Sequence, residues 1–180
     1  NIGGVIDTSF FHELSNISAV VLMGQAGSSG GDALADVLSG KVSPCGHLAA
    51  TWAKEYEDYP NADTFGYRNG NRDDEYYTEG IYVGYRYFDT FGVEPLYCFG
   101  YGRSYTDFDI KADTVKVNGA DIEVDVTVTN TGDTYAGKEV VQVYYSAPAG
   151  NMAKPYQELA AFAKTKILAP GESQSLTISY

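Results

Sequence analysis

The sequence predicts an α/β segment running into an all-β sandwich, and three observations carry that prediction. A short apolar run, SAVVLM at residues 18–23, is followed by a glycine-rich loop and an amphipathic helical pattern. After Phe108 the hydrophobic period drops to two. Between the halves lies EGIYVGYRYFDTFGVEPLYCFGYGRSY, residues 79–105, in which nine residues are Tyr or Phe.

SAVVLM suits a strand buried on both faces, as in a parallel sheet, because an uninterrupted apolar run leaves no solvent face. GQAGSSGG (24–31) then makes a loop, and DALADVLSG puts Leu34, Val37 and Leu38 on one helical face. Ser28 or Ser29 is placed to cap that helix, Asp32 favours its first turn, and Gly40 suits its stop. HLAATW (47–52) reads as a further strand. Residues 55–78 are polar, rich in Tyr, Asn, Asp and Gly, and contain the charged run RNGNRDDE. A structureless connection longer than ~12–15 residues is usually functional or disordered, so we read a long surface excursion.

In DIEVDVTVTN (121–130), Ile122, Val124, Val126 and Val128 alternate with Glu123, Asp125, Thr127 and Thr129. That is a strand with one face in solvent. NTGD makes a turn. KEVVQVYYS places Val141, Val143 and Tyr145 on one side. PYQELAAFAKTKIL holds another strand, PGES turns, and SLTISY alternates again. About five short strands with regular turns indicate a sandwich. We place the domains at 1–106 and 107–180, with the aromatic segment as linker. NIGG reads as the end of a strand entering a turn, and SQSLTISY stops inside a strand, as in a stretch of a longer protein.

Composition narrows the function classes. Hydrophobic content is 44%, charged content 20% and net charge −12, with a pI near 4.4. Such an acidic chain repels phosphate backbones and anionic bilayers, so neither nucleic acid nor membrane is an expected partner. No apolar run approaches the ~20 residues of a membrane span. Cys45 and Cys98 fit neither a disulfide framework nor a zinc spacing and read as two reduced, semi-buried thiols.

Gly27-Ser28-Ser29-Gly30-Gly31 fits the G-x-S-x-G pattern of a serine hydrolase elbow. The serine should directly follow its strand, yet five residues separate Met23 from Ser29. The only later histidine is His47, and the acids between, Asp32 and Asp36, sit on the adjoining helix. A glycine turn with a helix cap accounts for the motif better. His12 and His47 lie far apart and read as structural rather than as metal ligands. No carboxylate pair is singled out as the two acids of a glycosidase. The nine rings are expected to pack between two domains, since Tyr buries its ring while its hydroxyl reaches water or backbone. Arg86 is placed to stack on a ring or to pair with Asp89 or Glu94. Sugar stacking is the competing reading for these rings.

These same residues resemble a known family. GIYVGYRYFDTFGVEPLYCFGYGRSYTDF is similar to the segment closing the second catalytic domain of family 3 glycoside hydrolases, the β-glucosidases and β-xylosidases. NIGGVID and GQAGSSGGDALADVLSGKVSPCGHLAATW resemble stretches of that α/β domain. VTNTGDTYAGKEVVQVYYSAP and KPYQELAAFAKTKILAPGES resemble its fibronectin-III-like domain, and the resemblance implies that the last two strands of that domain are missing from this stretch. The order is kept along the chain. Cys45, Cys98 and Arg103 depart from the family's usual residues.

The resemblance implies a three-domain enzyme. A (β/α)-barrel carries an aspartate nucleophile, and an α/β domain carries a glutamate acid/base before the strand matching residues 1–4. The implied reaction is retaining hydrolysis of terminal non-reducing β-linked sugars through a covalent glycosyl-enzyme, with no metal or organic cofactor. No catalytic residue carries over to this chain. Glu79 and Asp89 sit in matching motifs but read as structural. In the family the loop at 24–31 lies near the cleft facing the barrel, which implies Gln25, Ser28 and Ser29 as substrate-binding residues. Implied partners are the carbohydrate substrate, the barrel domain and a second copy in a homodimer. The alternative is a non-catalytic carbohydrate-binding or interdomain scaffold module. The compartment stays open.

Overall fold

A short helix, α1 (Phe10–Glu13), begins where the Asp7 carboxylate accepts hydrogen bonds from the Ser9 backbone N–H and hydroxyl, at 2.8 and 2.6 Å. The computed structural model describes residues 4–66 and 68–180, so Asn1 to Gly3 and Tyr67, as well as the side chain of His12, lie outside the described residues. The described residues group into two compact units. The first takes the chain through Ala26, then His47–Tyr101 and Ser146–Gln157; the second takes Gly27–Gly46, Gly102–Tyr145 and Glu158–Tyr180.

In the first unit, SAVVLM adopts no regular secondary structure, and Val20, Val21, Leu22 and Met23 are each more than two-fifths exposed. This corrects the expectation of a buried strand. A parallel strand is defined by ladder partners on both sides, and no described segment pairs with this one. HLAATW behaves similarly. It meets residues 97–101 at its two ends, through Leu48 N–H to Tyr101 O (2.8 Å), Gly100 N–H to Leu48 O (2.8 Å) and Trp52 N–H to Tyr97 O (2.8 Å). Only an isolated bridge, Trp52 with Tyr97, results.

The excursion at 55–78 is folded rather than loose. It opens with a 3-10 turn, Tyr56–Asp58, closed by a reciprocal box between Glu55 and Asp58. Its base is clasped: the Asn61 amide donates to the Glu79 carboxylate, and the Thr78 hydroxyl donates to Asn61 Oδ1 at 2.8 Å. Ala62 is buried within it.

α2 (Gly30–Leu38) lies in the second unit, and the aromatic segment of the first contains a further helix, α3 (Tyr85–Phe91). Gly92, in the left-handed region at φ +67, ends α3. The helix packs its rings on neighbours within the unit. Phe88 is 1% exposed and meets Tyr59 edge-on at 5.8 Å and Tyr87 at 5.7 Å. Tyr82 and Phe91 meet at 5.0 Å, Tyr85 and Phe99 at 5.2 Å, and Tyr97 packs against Trp52 at 6.2 Å. The rings expected to pack between domains thus make these contacts on one another and on Tyr59 and Trp52 of the same unit. Tyr105 belongs to the second unit, against Tyr135 at 5.6 Å. Glu79 and Asp89 serve structure, the latter accepting from the Gln157 amide at 2.9 Å.

The second unit is built on α2 and five strands. β1 (Phe108–Asn118), β2 (Asp121–Asn130) and β5 (Ser173–Ser179) form an antiparallel sheet in the order β1-β2-β5, and β3 (Val140–Tyr145) pairs antiparallel with β4 (Glu158–Lys164). Alternation along β2 is as the sequence predicts: Val124, Val126 and Val128 are buried and join Val141, Leu168 and Ile178 in the core. β1 escapes a simple reading because its register shifts between Ala112 and Thr114, leaving Asp113 as an extra residue. α2 is tied to this unit by Tyr105, whose hydroxyl donates to Val37 O (2.8 Å) and whose backbone N–H donates to Ser43 Oγ (2.9 Å). The second unit is thus two antiparallel sheets, β1-β2-β5 and β3-β4, with one helix, α2.

Candidate functional site

The residues expected to touch substrate are Gln25, Ser28 and Ser29. All three are exposed. Gln25 belongs to the first unit, while Ser28 and Ser29 belong to the second, leading into α2. The loop turns where only glycine is at ease, at Gly24 (φ +61) and Gly27 (φ +71). Its last turn is closed by Gly30 N–H to Gly27 O at 3.2 Å.

Ser29 occupies the N-cap position of α2, and its carbonyl accepts from Ala33 N–H at 3.1 Å. Its hydroxyl makes no capping hydrogen bond. This differs from the sequence expectation, because an N-cap serine normally satisfies an orphan N–H of the first turn. Neither serine hydroxyl has a hydrogen-bond partner among the described residues, so both remain available to a ligand. Ser29 sits at φ −92, ψ 13 and no non-glycine residue among those described has positive φ. A nucleophile elbow needs a strained turn directly after a strand; neither is present here. Helix α2 stops as expected, with Gly40 at φ +76 donating to Val37 O at 3.0 Å. Leu34 and Val37 are half-buried, but Leu38 is exposed.

The carboxylates whose protonation is shifted all move in one direction. Asp7, Glu94, Asp113, Asp125 and Glu172 are held below the ordinary range by hydrogen bonds from hydroxyls, lysines or backbone. A general acid working near neutrality needs the opposite shift. His47 is structural, its Nδ1 lying 2.8 Å from Gly100 O. The thiols are both free, but Cys98 is exposed rather than semi-buried. No group of three or more His, Cys, Asp or Glu among the described residues could hold a metal ion, and no helix of the described residues is long and apolar enough to cross a membrane.

Comparison with known proteins places this architecture. Residues 1–85 match the glycosyl hydrolase family 3 C-terminal domain, and residues 139–180 match the fibronectin type III-like domain. A β-glucosidase A of Butyrivibrio fibrisolvens is 47% identical over 99% of the chain, which spans 23% of that protein. The crystal structure of a β-glucosidase from Paenibacillus barengoltzii superposes with a TM-score of 0.91 at 48% identity, covering 98% of this chain and 20% of that one. An exo-α-(1→6)-L-arabinopyranosidase of Bifidobacterium breve is 44% identical over 84% of the chain and 20% of its own length. The chain therefore spans about a fifth to a quarter of the relatives it matches.

Proposed function

Because the chain belongs to the family 3 glycoside hydrolases, we propose that the protein carrying it is a retaining, exo-acting β-glycosidase of the β-glucosidase type. The observation that carries the reading is the collinear match to β-glucosidases over 98–99% of the chain at close to half identity. A retaining enzyme holds two carboxyl groups about 5–5.5 Å apart, one as nucleophile and one as acid/base. The family resemblance assigns both roles to residues outside this chain, an aspartate on the barrel and a glutamate earlier in the α/β domain. The chain then contributes the sandwich (107–180) and the closing part of the α/β domain (1–106). Gln25, Ser28 and Ser29 line the substrate cleft, a role supported by the unengaged serine hydroxyls.

The sugar itself does not follow from similarity, since a relative at 44% identity is named for an arabinopyranoside linkage. The test is hydrolysis of 4-nitrophenyl glycosides by the complete protein, with the 180-residue chain in parallel. Turnover of a β-D-glucoside by the complete protein and none by the chain is the expected result. No turnover of any β-glycoside by the complete protein, or turnover by the chain alone, overturns it.

A further inference from the structure

Two asparagines of the chain are followed by glycine: Asn69-Gly70 in the charged run RNGNRDDE, and Asn118-Gly119 where β1 turns into β2. Such a pair carries an electrophile and a nucleophile within itself. The asparagine Cγ is an amide carbon, and the glycine nitrogen beside it has no side chain to screen it. Both pairs are exposed, and a Cβ at either glycine would meet no atom within 4 Å. Sequence and access therefore treat the two alike. The fold does not.

Asn118 is held extended. It ends β1 and pairs with Asp121 in the antiparallel ladder. Closing a five-membered ring on Cγ requires ψ and χ1 of the asparagine to rotate together, away from the ψ of about +135° of an antiparallel strand. That rotation opens the closing pair of the hairpin, so Asn118 reacts only when the ladder opens locally.

Asn69 lies in a turn. Its side chain folds back along its own backbone, Oδ1 accepting the Asn71 N–H at 2.8 Å, which is an Asx turn. That loop of atoms encloses the Gly70 peptide and brings Cγ back toward the nitrogen that attacks it. Asn71 is steadied in turn, its Oδ1 accepting the Asp73 N–H at 2.9 Å. The bond to Oδ1 draws electron density from Cγ and stabilises the charge that develops on the oxygen, as donors aimed at an oxyanion do. The Gly70 N–H has no hydrogen-bond partner among the described residues, so loss of its proton breaks no bond of the fold.

We propose that Asn69 is a site of intramolecular deamidation. The deprotonated Gly70 nitrogen bonds to Cγ, and the side-chain nitrogen takes up a proton and leaves as ammonia. The product is a succinimide joining positions 69 and 70. Water then opens the ring. Attack at Cγ gives aspartate; attack at the main-chain carbonyl carbon gives isoaspartate, whose backbone runs through the former side chain. Water is the only co-reactant, and no electrons are exchanged. The excursion gains a negative charge beside Asp73, Asp74 and Glu75.

Peptide mapping by mass spectrometry tests the proposal on the complete protein, held at mildly alkaline pH both folded and in urea. Electron-transfer fragmentation separates aspartate from isoaspartate. Methyl transfer from S-adenosylmethionine by an isoaspartyl methyltransferase reads the isoaspartate independently. In the folded protein Asn69 should convert about fivefold faster than Asn118 or more, because opening the hairpin costs at least one hydrogen bond of ordinary net strength. In urea the two rates should converge. Isoaspartate should accompany aspartate at position 69, and Asn69→Gln should remove methyl acceptance there. Equal rates at the two positions in the folded protein, a faster Asn118, a difference that persists in urea, or aspartate without isoaspartate overturns the proposal.

Discussion

Asn130 is the residue on which the second unit closes. It is wholly buried. Its amide donates to Tyr135 O and Leu168 O, each at 2.9 Å, and its Oδ1 accepts from the Thr106 hydroxyl at 2.5 Å and from Gly132 N–H at 3.1 Å. Gly132 must be glycine for a separate reason: a Cβ there would collide with the Thr106 hydroxyl. Asn130→Ala takes their partner from the buried Thr106 hydroxyl and from Tyr135 O, while Leu168 O keeps the Gly137 N–H, at about 1–3 kcal/mol for each group left unsatisfied. We expect it to cost about 3 kcal/mol or more, read as a lower urea midpoint at unchanged m-value. Asn130→Asp should not rescue it, since an ionised carboxylate cannot donate to the two carbonyls. A loss below about 0.5 kcal/mol, the range of an ordinary surface change, would contradict the network's role. At Ser29 the expectation is the reverse. A hydroxyl that caps nothing should leave the melting temperature of the complete protein unchanged when removed. Ser29→Ala or Gln25→Ala should instead raise KM for the glycoside. A fall in melting temperature with unaltered kinetics would return these residues to a structural role.

At the scale of elements, the outer face of the β1-β2-β5 sheet is a polar lattice centred on Asp125. Its carboxyl is held down to about 2, first by the Thr114 hydroxyl, then by the Thr177 hydroxyl and Lys116, at 2.6, 2.7 and 3.0 Å. A carboxyl in an unfolded chain titrates near 3.9. The folded state therefore favours the ionised form. The resulting stabilisation is complete above that unfolded value and disappears as pH falls through about 2. Asp125→Asn should lower the urea midpoint at pH 6, and the gap from wild type should close toward pH 2. A gap that holds constant with pH would show that the carboxylate's charge is not what matters. The same sheet shows what was legible in the sequence. β2 could be read because each residue faces strictly in or out. β1 could not, because the extra residue at Asp113 breaks the alternation. α3 was hidden for another reason: Tyr, Phe and Thr are indifferent helix formers, and the helix forms because Phe88 is buried and Gly92 stops it. SAVVLM failed as a strand because its definition depends on neighbours that the run itself cannot encode.

For the whole molecule, class and order were readable, and so was the family, from motifs kept in sequence along the chain. The candidate site was less so. Gln25, Ser28 and Ser29 came from the resemblance, not from any spacing that demands them. Composition spoke chiefly by exclusion, through a net charge of −12. The central claim is that this chain belongs to a retaining β-glycosidase whose two catalytic carboxylates lie outside it. Proton NMR of the first-formed sugar anomer, recorded as the complete protein hydrolyses an aryl β-D-glucoside, tests that claim most directly. The account predicts that the β-anomer appears first and mutarotates to the α-anomer only afterwards, while the 180-residue chain under the same conditions releases no sugar. The α-anomer appearing first, or sugar released by the chain alone, would contradict it.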